Sequence, residues 1–211
     1  MDTKEKILVI ALRLFAQKGF EAVSVSLIAG ELGMTKGALY KHYKNKQDIF
    51  DSIVERMYYK DKQQAKEFAM PEDTFAAMPP KYRSVSIESL KSFSEEQFNF
   101  WTVDEFASNF RKMLTLEQYR NPKIAELYQS CICAGAVSYT EDLFREMISQ
   151  GLLKQSDPKL LAIEFYSPLY LLISISDVSP DKKSAKDLLS IHIDNFIQRY
   201  AIKRCGGGSA V

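Results

Sequence analysis

Residues Ser24 to Phe50 read SVSLIAGELGMTKGALYKHYKNKQDIF. Two short helices are written into this stretch. Ser24 and Thr35 are hydroxyl residues of the kind that satisfies free helix amides, and each precedes apolar residues at helical spacing, Leu27, Ile28 and Leu32 in the first case and Leu39 in the second. Ala29, Gly33 and Leu39 stand at the offsets a helix-turn-helix needs: a small residue where two helices nearly touch, a glycine in the tight turn, and an aliphatic plug from the second helix into the first. The second helix is expected over Lys36 to His42. Two such helices cannot bury an adequate core alone, so their flanks must cover them. Ile7, Leu8, Ala11, Leu14 and Phe15 before the stretch, and Ile49, Phe50, Ile53, Val54 and Met57 at and beyond its end, form apolar stripes suited to that.

Outward from this stretch the punctuation stays helical. Asp2 or Thr3 caps the first helix and Gly19 ends it; Asn45 with Asp48 resembles a capping box that opens a long helix running past Tyr59. Pro71, Pro79 and Pro80 mark residues 69–84 as a connection. Asn121-Pro122 and Asp157-Pro158 are cap-then-proline starts; Gly151 closes the helix begun by the first, and Ser179-Pro180 follows the second. A last helix is expected over about Ser184 to Lys203, with a disordered tail at 205–211 containing three consecutive glycines. Alternating strand-like runs are nearly missing, so the fold class is all-α, about nine helices in total: a three-helix segment over 1–46 followed by a larger helical segment over 47–204.

Bulk properties exclude several classes. A chain of 211 residues that is 46% hydrophobic and 26% charged, with formal net charge +1, is neither disordered nor fibrous, and any polyanion-binding face must be local. Cys131, Cys133 and Cys205 form no even framework and no zinc knuckle, so no disulfide, metal or cofactor is expected, and reduced thiols are the default. Cys131 and Cys133, two apart on a helix, point in different directions and read as small buried hydrophobes; redox sensing would require a depressed thiol pKa. The start lacks the pattern of a cleaved leader, and the apolar run Leu160 to Ile175 is interrupted by Glu164, Ser167 and Pro168, so the protein is expected in the cytoplasm with no membrane partner and this run as a buried helix.

From Lys36 to Lys46 the chain holds four lysines, a histidine and two tyrosines with no acidic side chain. Such a face neutralises phosphates and releases counterions, while specificity needs side chains at the start of the recognition helix that reach base edges. Thr35, Lys36 and Ala38 are placed for bases; Gly37 lets the backbone approach, Tyr40 offers a hydroxyl to phosphate, and Lys41, His42 and Lys46 add charge. Ser24 at a helix start suits a phosphate oxygen.

The LFAQKGF segment at Leu14 to Phe20, SVSLIA at Ser24 to Ala29 and LGMTKGALYKHYKNKQDIF at Leu32 to Phe50 resemble the TetR family of bacterial transcriptional regulators. Gly19, Phe20, Ser24, Val25, Ile28, Ala29, Gly33, Thr35, Gly37, Tyr40, His42, Tyr43 and Lys46 fill the family pattern; Leu32 departs from it where alanine is common. The resemblance implies an omega-shaped homodimer with small DNA-binding heads, an all-helical effector-binding domain, and an interface built from the last two helices of each subunit. It favours a repressor released from a palindromic operator by a small apolar effector.

The later residues fit that reading on their own chemistry. Leu161, Phe165, Leu169 and Leu172 on one helix, with Leu188, Ile191, Asn195 and Ile197 on the next, are apolar enough for a four-helix interface between subunits. Phe98, Trp101, Phe106, Phe110, Met113, Tyr128, Tyr139, Phe165 and Tyr166 are candidates to line an effector pocket, although most aromatics of this kind are core. The helix from Asn45 would then act as a lever between effector and DNA. A helical adaptor leaves the basic helix unexplained; a small helical enzyme would need a nucleophile elbow, a phosphate-binding loop or a carboxylate–histidine cluster, and none is written in the chain.

Overall fold

The structure, a computed structural model, describes residues 2–179 and 181–202. Pro180, Lys203 and the 205–211 tail lie outside the described residues. Among the described residues eleven helices follow in chain order: α1 (Thr3–Lys18), α2 (Val25–Glu31), α3 (Lys36–Leu39), α4 (Lys46–Glu67), α5 (Pro79–Arg83), α6 (Ile87–Thr102), α7 (Glu105–Glu117), α8 (Pro122–Ile132), α9 (Ala134–Ser149), α10 (Pro158–Ser176) and α11 (Lys182–Tyr200). The all-α class stands, with two helices beyond the expected nine or so.

The caps explain most boundaries. Asp2 accepts the Glu5 amide, Asp104 that of Ala107, Asn121 those of Lys123 and Ile124, and Asp157 those of Lys159 and Leu160. Asp48 donates its amide to Asn45 Oδ1 at 2.8 Å and accepts the Lys44 amide at 2.8 Å, which closes the box at the start of α4. Both extra helices occur where the sequence reads otherwise. The proline-rich connection contains α5, because Pro79 and Pro80 occupy its first turn, where no amide is needed. The helix expected from Pro122 to Gly151 breaks at Cys133, whose φ of −117° and ψ of −97° lie outside helical values. A Cβ on Gly135 would stand 1.8 Å from the Ser130 carbonyl oxygen, so only glycine permits this junction.

Two compact units arise. The first takes residues up to Gln64 together with Gln97–Gly135, and the second takes Ala65–Glu96 with the residues from Ala136 on. In the first, α1 packs against α2 and α7. Ile7, Ala11 and Phe15 of α1, Ile28 of α2, Leu39 of α3, Ile49 and Ile53 of α4, and Ala107, Met113 and Leu114 of α7 are all fully buried. Phe20 sits edge-on between Phe15 and Phe50, at centroid distances of 5.0 and 5.2 Å.

The second unit is built around α9, α10 and α11. Phe144, Phe165 and Phe196 bring their rings together at 4.8–5.4 Å, and His192 Nε2 lies 3.1 Å from the Phe165 carbonyl oxygen. An antiparallel bridge between Leu153 and Ala201 follows the end of α11. Helix α10 is the one helix, among the described residues, long and apolar enough to cross a membrane by length and composition. It is buried on one face only. Leu161, Phe165, Leu169 and Ile173 are buried, whereas Leu160, Ile163, Leu171 and Ile175 are exposed.

Candidate nucleic-acid interface

Ser24 starts the site as the N-cap of α2, its hydroxyl oxygen accepting the Leu27 amide at 3.1 Å. At the other end of α2, Gly33 donates to the Gly30 carbonyl and Met34 to that of Ala29, both at 3.0 Å, with Gly33 at a φ of +62°. This paired pattern closes the helix and reverses the chain within four residues. Thr35 then caps α3 by accepting the Ala38 amide at 3.2 Å. Ala29 and Leu39, 2% and 0% exposed, occupy the contact between the two helices. The packing logic of the turn is thus the one its residue spacing predicts.

Helix α3 is shorter than expected. It ends at Leu39, and Lys41 and His42 continue as turns through amides donated to the Ala38 and Leu39 carbonyls. Tyr43 anchors the far end: it is 2% exposed, its hydroxyl donates to the Lys4 carbonyl oxygen at 3.3 Å, and burial pushes its phenol up to about 12. With Leu39 and Tyr43 held inside, the side chains between and before them turn outward. Thr35, Lys36, Gly37, Tyr40, Lys41 and His42 are exposed, Ala38 is half-buried, and Ser24 is exposed at the start of α2. The Lys36 ammonium rests 5.7 Å from the Tyr40 ring centroid. Lys44, the third of the four lysines in the run, is exposed as well and belongs to the same basic face.

Lys46 differs from its neighbours in the run. Its ammonium donates to the Phe20 carbonyl oxygen at 2.7 Å and to that of Glu21 at 3.4 Å, and it lies 4.2 Å from the Phe20 ring centroid. A lysine so engaged ties the turn after α1 to the start of α4, and its charge faces the Glu21 carboxylate at 3.9 Å.

The other expected sites divide between the two units. Phe98, Trp101, Phe106, Phe110, Met113 and Tyr128 are buried in the first; Tyr139 and Tyr166, half-buried, and Phe165, buried, belong to the second. Of the residues expected between subunits, Leu161, Phe165 and Leu169 are instead buried within the second unit, Phe165 against Phe144 and Phe196. Leu172 is half-buried, while Leu188, Ile191 and Asn195 are exposed. Burial pushes the Cys131 thiol up to about 11, the direction opposite to that of a redox sensor. Cys131 and Cys133 are half-buried, and Cys205 lies outside the described residues.

Residues 7–53 match the family of bacterial regulatory proteins described as the tetR family. Over 80 residues the chain is 41% identical to the HTH-type transcriptional regulator YerO of Bacillus subtilis, covering 38% of this chain and 27% of that protein, so it spans about a quarter of this relative's length. A longer likeness, 24% identical over 196 residues, joins it to the HTH-type regulator YhgD of the same organism, with 92% of this chain and 95% of that one covered. Among solved structures, SmeT of Stenotrophomonas maltophilia in complex with triclosan superposes with a TM-score of 0.67 at 22% identity, over 100% of this chain and 95% of that one, a likeness of fold. The matched segment holds every element of the helix-turn-helix just described, and residues 7–53 are similar to the DNA-binding segment of the tetR family of bacterial regulatory proteins.

Proposed function

We propose that the chain is a sequence-specific DNA-binding transcriptional regulator, a homodimeric repressor whose hold on a palindromic operator is loosened by a small-molecule effector. The observation that carries this reading is the outward row Thr35, Lys36, Tyr40, Lys41 and His42, held off the core by Leu39 and Tyr43. Base contacts fall to Thr35, Lys36 and Ala38; phosphate contacts fall to Ser24, Tyr40, Lys41 and His42, with Gly37 admitting the backbone. Residues 1–46 serve as the DNA-binding head and 47–204 as the effector and dimerisation part. The protein works in the cytoplasm, where its operator DNA is.

Dimerisation is supported by an apolar surface that a soluble monomer would not keep. Leu160, Ile163, Tyr170, Leu171 and Ile175 of α10 and Leu188, Ile191 and Asn195 of α11 are exposed. The second copy covers these faces, with the buried faces of the same helices turned to their own core. Symmetry then sets two copies of α3 about one helical turn of DNA apart, roughly 34 to 36 Å. Effector release is supported by SmeT, which is described as the repressor of a multidrug efflux pump and is solved with triclosan bound. Such release requires different effector affinity in the DNA-bound and free states.

The test is a salt titration of binding to duplexes from the protein's own promoter region. Lys36→Ala and Lys41→Ala each weaken binding and reduce the slope of log affinity against log salt by about one. Lys46→Ala lowers the melting temperature and changes the salt slope less than Lys36→Ala does, because its ammonium is held at the Phe20 and Glu21 carbonyls and beside the Glu21 carboxylate. DNA affinity independent of salt defeats the reading.

A further inference from the structure

Tyr43 holds more than the end of the recognition segment. Its hydroxyl donates to the Lys4 carbonyl oxygen at 3.3 Å, and the Lys4 ammonium stands 5.4 Å from the centroid of its ring. Backbone and side chain of one residue, 39 positions upstream, are thus both fastened to the residue that follows His42. Lys4 is exposed, as are Lys41, His42 and Lys44. The first turn of α1 therefore sets a lysine beside the far end of the outward row, at a place that nothing in the run Lys36 to Lys46 marks.

The charge of Lys4 is uncommitted. Among the described residues no carbonyl or carboxylate accepts a hydrogen bond from its ammonium. The two carboxylates that act on Tyr43, those of Asp48 and Asp2, are taken by backbone amides, Asp2 by that of Glu5 at 2.8 Å and Asp48 by that of Lys44 at 2.8 Å. Glu5 itself pairs with Arg56. Lys46 makes the contrast, because its ammonium meets the Phe20 and Glu21 carbonyls and the Glu21 carboxylate. An aromatic ring carries no net charge, so Lys4 keeps its full positive charge and its donors, while the ring restricts where they point and lowers the entropy lost when a phosphate orders them.

We propose that Lys4 is a phosphate contact of the DNA interface, gripping the strand that borders the groove entered by α3. A major groove about 12 Å wide has a phosphate strand along either edge. With Thr35, Lys36 and Ala38 directed at bases from the start of α3, the chain leaves the groove toward Tyr43, and Lys4 meets the phosphates at that edge. The footprint then includes the first turn of α1 as well as the helix-turn-helix. A contact of this kind positions the protein without reading sequence. This inference rests on the reading of the chain as a DNA-binding regulator and adds a residue to that same interface.

The experiment measures binding of the full chain to a duplex from its own promoter region, and to a scrambled duplex of the same length, over a range of salt concentrations. Lys4→Ala lowers affinity for both duplexes by the same factor, about five- to tenfold near 0.1 M salt, and reduces the slope of log affinity against log salt by about one. Lys4→Arg restores both, since it keeps the charge. Lys6→Ala removes another exposed lysine two residues on, about 200° around the same helix, and changes the slope by less than half as much. All three variants keep the helical circular dichroism signal of the parent. A slope unchanged by Lys4→Ala, equal losses from Lys4→Ala and Lys6→Ala, or a Lys4→Arg variant as weak as Lys4→Ala overturns the proposal. Those results leave the helix-turn-helix reading intact so long as Lys36→Ala still lowers the slope, whereas a parent without salt-dependent binding defeats that reading and this inference together.

Discussion

The backbone amide of Phe20 donates to Glu117 Oε1 at 2.9 Å, joining the turn after α1 to the last residue of α7. Glu117 is fully buried, its Oε2 has no hydrogen-bond partner, and Arg120 Nη1 approaches Oε1 only to 3.9 Å. The same oxygen shapes the residue before Phe20. Gly19 has a φ of +84°, and a Cβ there would stand 2.3 Å from Glu117 Oε1. Turn and carboxylate are fitted to each other, and through them the helix-turn-helix is fixed to α7. Glu117→Ala orphans a buried amide and is expected to lower stability by about 1–3 kcal/mol. Glu117→Gln keeps an acceptor and removes the buried charge, so it costs less. Urea unfolding of the three proteins checks the order; an alanine variant as stable as the glutamine variant would show that the hydrogen bond contributes nothing.

Ala69 closes α4 in a conformation that suits glycine. Its φ is +55°, its amide donates to the Lys66 carbonyl at 3.1 Å, and the Met70 amide reaches the Ala65 carbonyl at 2.8 Å. A left-handed alanine costs about 1–2 kcal/mol, part of which glycine loses again through the greater freedom of the unfolded chain. Ala69→Gly is expected to raise stability by about 0.5–1 kcal/mol, seen as a melting temperature higher by about 2 °C. A lower melting temperature would mean that the strain is relieved elsewhere.

These junctions mark the limit of what the chain discloses by itself. The helix-turn-helix was legible because Ser24, Ala29, Gly33, Thr35 and Leu39 each act on near neighbours, and so do the caps Asp2, Asn121 and Asp157. Glu117 acts on a residue 97 positions away, which no local pattern carries. Lys46 looked like its neighbours in a basic run until the Phe20 and Glu21 carbonyls were placed beside it. Helix α10 is apolar around much of its circumference, with Leu160 beside Leu161 and Leu171 beside Leu172, so periodicity alone could not choose the inward face. The break at Cys133 depends on the approach of Ser130 to Gly135, and a lone glycine inside a helical pattern gives no warning of it.

Asp61 makes a pH signature. Its carboxyl titrates at about 6 in the folded chain and at 3.8 as an ordinary aspartate, so between those values the folded protein holds more protons than the unfolded one. Stability therefore falls as pH rises through that window and levels off above it. The charge acting on Asp61 is that of Lys62, which does not change between pH 4 and 6. Asp61→Asn cannot ionise, so its advantage over the parent should grow from nothing near pH 4 to a plateau above pH 6. Water reaches the carboxylate and screens it, which limits the plateau to a rise of about a degree or two in melting temperature. Melts at pH 4, 5, 6 and 8 test this; a gap that does not vary with pH would place Asp61 in ordinary solvent.

The two faces of α10 separate assembly from folding. Leu171 is 57% exposed and Ile191 of α11 equally so, whereas Leu161 is 3% exposed and lies within the core of the second unit. If the exposed faces meet a second copy, a charge placed on them disrupts association and spares the protomer, since burying an unpaired carboxylate between subunits costs more than the contact contributes. Leu171→Glu and Ile191→Glu should each halve the apparent mass in light scattering and keep the helical circular dichroism signal. Loss of operator affinity should follow, because a lone head engages one half-site and forfeits the second. Leu161→Glu should behave differently, losing several kcal/mol of stability through a buried charge with no partner. Should Leu171→Glu remain a dimer while Leu161→Glu stays folded, the assignment of inner and outer faces would be reversed, and with it the spacing of the two recognition helices on DNA.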